Sequence, residues 1–178
     1  APLGDDEAFD AALLRAVKKL RQNERNGSRA PQRLADLSAV LHELRLQKDQ
    51  ESLRCMRRAA AITCEAHRLA MAAARAGRHE YQIRALIDYA FARENGTPGY
   101  DTIVGAGANA TVLHYTSCTG LLQAGDLLLV DAGCEWGHHT ADVTRTYPIA
   151  GSDGSRPVWT AAQRRLYDVV LTAQRAGI

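Results

Sequence analysis

The sequence predicts an α+β fold, with helices packed on a curved antiparallel sheet. Three observations carry that expectation. The first half of the chain holds amphipathic helical patterns, and short β-patterned runs follow them. The strands do not alternate with helices as they would in a parallel βαβ sheet. Two of the runs, Leu127–Val130 and Val143–Ile149, flank a short reversal containing Gly137 and so predict an antiparallel hairpin.

The elements follow in chain order. Residues 5–25 predict a helix, with Asp5, Asp6 and Glu7 in the first turn, where the helix dipole favours anions. Phe9, Leu13, Leu14, Val17 and Leu20 give it an apolar face, and Gly27 marks its end. The run Gly27-Ser-Arg-Ala-Pro31 reads as a linker. The expected division is therefore residues 1–30, the last helix of an N-terminal domain with its linker, and residues 31–178, one further domain. Ser38–Leu44 predicts a short helical turn, and Asp49 a helix N-cap.

Residues 51–76 predict the longest helix. It is rich in alanine, which permits close approach to a sheet, and Gly77 stops it. His67 on this helix reads as a helix-surface or satisfied core histidine rather than a ligand. Residues 80–94 predict the next helix, ended by Asn95-Gly96-Thr97-Pro98-Gly99. Short strands are expected at Tyr100–Val104 and Val112–Tyr115. The Gly105–Asn109 loop between them lacks the third glycine and following helix of a dinucleotide loop. Residues 150–157 read as an exposed, turn-rich loop. Thr160 and Gln163 form a capping box for a last helix bearing Leu166, Val169, Val170 and Ala173.

Composition narrows the function classes. A net charge of +2 with scattered arginines offers no basic stripe for nucleic acid. No apolar run approaches a membrane span, and no signal peptide is visible, so a cytoplasmic setting is the expectation. Cys55, Cys64, Cys118 and Cys134 have neither a CxxC pair nor zinc-like spacing, and read as free thiols in a reducing compartment.

The hairpin holds the chemistry. With its reversal centred between Trp136 and Gly137, Asp131 would stand opposite Asp142 on one face, and Val130 opposite Val143 on the other. Facing like charges destabilise a sheet. At about 4 Å they repel by roughly 4 kcal/mol at an effective dielectric near 20. A hard divalent cation between the carboxylates would remove that cost. Taken alone, two aspartates eleven residues apart are more often unrelated turn and edge residues.

The motifs then resemble a family. Tyr100–Asn109, Val112-Leu-His-Tyr-Thr116, Gly125–Gly133 and Ala141–Pro148 look like aminopeptidase P, the Xaa-Pro aminopeptidases, among the pita-bread metallopeptidases. Leu41–Lys48, Arg57–Ala60, Gln163 and Tyr167 fit the same pattern, so the resemblance covers most of residues 38–176. It implies the first half of a pita-bread domain at 31–178. It also implies two divalent metals, Mn²⁺ foremost with Zn²⁺ or Co²⁺ as alternatives. Asp131 would be a terminal ligand and Asp142 a bridging one. His114 would be the catalytic and substrate-binding histidine, contacting the substrate carbonyl or tetrahedral intermediate, and Tyr100 would line the site. A metal-bound hydroxide would cleave the bond before a proline in second position. The substrate partner would be a peptide with an Xaa-Pro N-terminus, and a homo-oligomer, dimer or tetramer, would be expected. His138 and His139 read as exposed loop residues.

The sequence departs from the family pattern in places. Ser117-Cys118-Thr119 occupies a region that usually carries an asparagine, His139 a position where an aromatic is common, and the loop from Gly151 to Trp159 is long. The resemblance also implies one histidine and two glutamates as further ligands, from a region beyond residue 178. The expectation is thus a front portion that binds metal weakly and is inactive by itself. Prolidase action on Xaa-Pro dipeptides and a non-catalytic pita-bread binding module are the alternatives.

Overall fold

A computed structural model describes residues 4–178. The chain divides into two compact units at Asp49/Gln50. The first unit holds α1 (Glu7–Gln22) and α2 (Ser38–Leu46). Asp6 caps α1 by accepting from the Phe9 amide, and Gly27 follows the helix at φ 87°.

The second unit holds α3 (Gln50–Ala73), α4 (Glu80–Arg93), six short strands and α5 (Ala161–Gly177). The strands are β1 (Thr97–Pro98), β2 (Ile103–Ala106), β3 (Leu127–Ala132), β4 (Cys134–Trp136), β5 (His139–Thr140) and β6 (Val143–Pro148). They form two antiparallel ladders, β2-β3-β6 and β1-β4-β5, and the chain passes from one to the other at Gly133. This is the α+β architecture read from the sequence.

Strand periodicity sorts the faces. Leu128, Val130 and Ala132 are fully buried, with Ile62, Ala66 and Ala70 of α3 and Ile83, Ile87, Ala90 and Phe91 of α4 in the same core. The alternate residues Leu127, Leu129 and Asp131 face the other way. The alanines of α3 let the helix backbone approach the sheet closely. Thr63 exploits that approach: its hydroxyl donates to the Ala59 carbonyl and accepts from the Cys134 amide at 2.9 Å.

At α5 the Thr160–Gln163 capping box is present, and the Gln163 side chain also donates to the Gly125 carbonyl at 2.9 Å, just before β3. Leu166, Val169 and Val170 of this helix are exposed. No helix among the described residues is long and apolar enough to cross a membrane.

Three expectations need correction. The hairpin turns at Gly137–His138, because Trp136 pairs with His139. Both central residues have positive φ, 58° and 62°, as a type I′ turn requires. The centre thus lies one residue later than read, and Asp131 pairs with Thr144 and Val130 with Arg145. The same register carried through the break places Asp142 opposite Gly133. Second, Val112–Tyr115 is no strand. A 3₁₀ turn (Gly107–Thr111) precedes it, and His114 sits in an exposed turn at φ 54°. Third, β2 begins at Ile103, so Tyr100 precedes the strand.

Candidate metal centre

Asp131 reaches the open face of the sheet from the penultimate position of β3, and Asp142 lies just before β6. A register error of two residues preserves the face, so both carboxylates still point to one side. They do not oppose each other directly. Tyr100 joins them instead: its hydroxyl oxygen lies 2.7 Å from Asp131 Oδ1 and 3.0 Å from Asp142 Oδ1. The two carboxylate oxygens are therefore about 6 Å apart at most, from those two distances.

One phenol carries one proton, so it can donate to only one carboxylate at a time. Two anions compete for one donor. The tyrosine proton is held far more tightly than usual, first by burial, then by the hydrogen bond to Asp131 and its charge, then by Asp142.

Gly133 makes this convergence sterically feasible. A Cβ there would collide with the Ala141 carbonyl oxygen and come within 2.9 Å of the Tyr100 ring. Its backbone carbonyl accepts from the Gly99 amide at 2.9 Å, fixing the entry to Tyr100. The Ala141 amide donates to the Cys134 carbonyl at 3.0 Å, fixing the entry to Asp142.

Helix α3 supports the same junction from behind. His67 is buried, with Nε2 3.4 Å from the Ala132 carbonyl and Nδ1 without a hydrogen-bond partner among the described residues. Burial holds its pKa below the ordinary histidine value. Of the two alternatives read for His67, its burial matches the core one, with one ring nitrogen bonded. Neither this histidine nor the Thr63 hydroxyl was legible as support for Asp131, since helical spacing does not reveal the strand atoms they meet.

The carboxylate pair fits part of a divalent-metal site: hard oxygen donors converge, and the neutral phenol between them supplies one hydrogen bond at a time and no positive charge. They do not complete a coordination shell. Among the described residues, no group of three or more His, Cys, Asp or Glu side chains converges. His138 and His139 lie at the hairpin tip, where His139 Nδ1 is 2.9 Å from the Gly137 carbonyl. His114 is exposed on its turn, and no hydrogen bond joins it to the pair.

Comparison with known proteins matches residues 54–178 to the model of metallopeptidase family M24. The chain is 41% identical over 176 residues to the Xaa-Pro aminopeptidase of Escherichia coli K12, covering 98% of this chain and 38% of that protein. It is 39% identical over 146 residues to the Xaa-Pro aminopeptidase of Haemophilus influenzae, covering 82% of this chain and 33% of that one. Among solved structures, proline aminopeptidase P II from Yersinia pestis superimposes with a TM-score of 0.90 at 40% identity, covering 98% of this chain and 39% of that chain. The low-pH form of E. coli aminopeptidase P gives 0.91 at 38% identity, with coverage of 99% and 39%. The chain thus spans under two-fifths of the length of these relatives, and its fold matches part of the aminopeptidase P pita-bread domain. By sequence and by fold, the chain belongs to the M24 metallopeptidases, alongside the Xaa-Pro aminopeptidases.

Proposed function

We propose that this chain contributes two metal ligands and the substrate-facing histidine of an Xaa-Pro aminopeptidase. The observation that carries the reading is the convergence of Asp131 and Asp142 on the single Tyr100 hydroxyl. Asp131 would hold one divalent ion and Asp142 would bridge two, with Mn²⁺ the favoured metal. Such ions, when bound, supply Lewis acidity and lower the pKa of coordinated water.

The chain's own residues have separable tasks. Tyr100 keeps its proton at neutral pH and restrains both carboxylates from one side, which limits the orientations they can adopt. Gly133 leaves the space in which Tyr100 and Asp142 meet. His114, exposed on its turn, would donate to the peptide carbonyl and to the oxyanion that develops from it. The substrate would be a peptide with proline in second position. The resemblance to the family implies a homo-oligomer, and a cytoplasmic setting is the one the sequence reading favours.

The test uses the full-length protein with added Mn²⁺ and a tripeptide bearing proline or alanine in second position. Release of the first residue from the proline peptide, abolished in Asp131→Asn and Asp142→Asn, is the expected result. Absence of release refutes the reading. Cleavage confined to Xaa-Pro dipeptides would make the protein prolidase-like instead.

A further inference from the structure

Glu80 is a carboxylate with no solvent exposure, and no cation among the described residues forms an ion pair with it. Burying a lone carboxylate is costly unless donors surround it. Here four do. Oε1 accepts from the Ala106 amide at 2.7 Å and from Asn109 Nδ2 at 3.0 Å. Oε2 accepts from the Tyr115 hydroxyl at 2.8 Å and from the Gly120 amide at 2.7 Å. Glu80 also opens α4, whose N-terminal dipole favours an anion.

All four donors come from one stretch, residues 106–120, and they include both of its ends. It begins at the last residue of β2 and continues through the 3₁₀ turn Gly107–Thr111. The Glu80 amide donates back to the Gly120 carbonyl at 2.9 Å, and the Leu122 amide donates to the Arg78 carbonyl at 2.7 Å. Asn109 Nδ2 lies 3.0 Å from the Tyr115 hydroxyl, which in turn accepts from the Thr119 amide at 3.3 Å. A Cβ on Gly120 would come within 2.7 Å of Glu80 Oε1, so the loop is fitted closely around this carboxylate.

His114 lies inside the loop, next to Tyr115, at φ 54°. A non-glycine residue in that conformation persists only where its surroundings impose it. Its neighbour Tyr115 is held by the buried acid, and that contact ties the turn down.

We propose that Glu80 is a positioning residue for His114: it gathers Ala106, Asn109, Tyr115 and Gly120 onto one carboxylate and so fixes the turn that presents the imidazole. The proposal rests on the role given to His114 above. A glutamine at this position would keep the shape of the side chain while turning an acceptor oxygen into an N–H group that faces donors.

The test is a double-mutant cycle in the full-length protein, with hydrogen exchange of residues 106–120 followed by mass spectrometry. Glu80→Gln should speed exchange in this stretch about tenfold or more. It should lower kcat on the proline tripeptide about 10- to 100-fold, with Mn²⁺ affinity within about twofold of the parent. In a His114→Ala background it should lower kcat no further, because residues acting as one unit are non-additive. Tyr115→Phe, which removes one donor and keeps the ring, serves if Glu80→Gln does not fold; it should show the same non-additivity with a smaller loss. Unchanged exchange, or losses that multiply in the double mutant, would overturn the proposal. A His114→Ala enzyme with undiminished turnover would refute the functional reading of His114, and the exchange result would still report on the anchor separately.

Discussion

Removing the Tyr100 hydroxyl tests the physical core of the site. Tyr100→Phe keeps the ring that packs over Gly133 and deletes the donor shared by Asp131 and Asp142. A hydrogen bond to a charged group contributes about 1.5–3 kcal/mol. Two carboxylate oxygens at most about 6 Å apart repel by at least about 3 kcal/mol at an effective dielectric of 20 and at least about 0.7 kcal/mol in water. Asp142 is exposed and Tyr100 only half-buried, so the lower ends apply. The expected loss is about 1–2 kcal/mol in urea unfolding at pH 7 without metal. The pH dependence adds a second signature. The folded-state pKa of Tyr100 is raised above its ordinary value of 10.0. The unfolded chain therefore releases this proton first as pH rises. The stability that Tyr100 contributes is full below about pH 10 and is lost above it. The gap between the parent and Tyr100→Phe should narrow above that pH. A gap under about 0.3 kcal/mol at neutral pH, or one that widens in alkali, would refute the shared-proton account.

Other expectations follow from single contacts. Gly133→Ala forces a methyl group onto the Ala141 carbonyl and the Tyr100 ring, and should cost about 1–3 kcal/mol in urea unfolding while weakening Mn²⁺ binding. Thr63→Val leaves the buried Cys134 amide unpaired, and should cost about 1–3 kcal/mol with little change in side-chain shape. His138→Gly relieves a left-handed residue at the hairpin tip, and its thermal midpoint should be unchanged or raised, by up to about 1 kcal/mol in stability. The depressed pKa of His67 means that the unfolded chain takes up a proton that the folded chain resists. Stability should therefore fall as pH drops below about 6.5, and His67→Met should flatten that part of the profile.

Local signals were legible in the sequence where local chemistry decides the outcome. The Thr160–Gln163 capping box is contained within four residues and appears as read. The hairpin itself was also legible, because Leu127–Ala132 and Val143–Pro148 have strand composition. Its register was not. The sequence offers one obvious residue for positive φ, Gly137, and the turn also uses His138, which shifts the centre. The face of Asp131 and Asp142 survived because side chains repeat every two residues. Val112–Tyr115 misled for a different reason. Its β-branched and aromatic residues favour a strand, yet Leu113 is 90% exposed and the Tyr115 hydroxyl is captured by Glu80. That capture spans 35 residues and overrides local propensity. Glu80 itself gave no signal, since an acid in the first turn of a helix is ordinary. Tyr100 could be placed at the site by resemblance alone; its bond to both aspartates needed the fold.

The most direct test of the central claim is Mn²⁺ titration of the full-length protein by isothermal calorimetry, comparing the parent with Asp142→Asn. If Asp131 and Asp142 hold metal together, with Asp142 bridging, the parent takes up two ions per chain and the variant loses measurable uptake of both. Equal stoichiometry and affinity in the two proteins would mean that these carboxylates do not hold the metal, and the account of the site would fail.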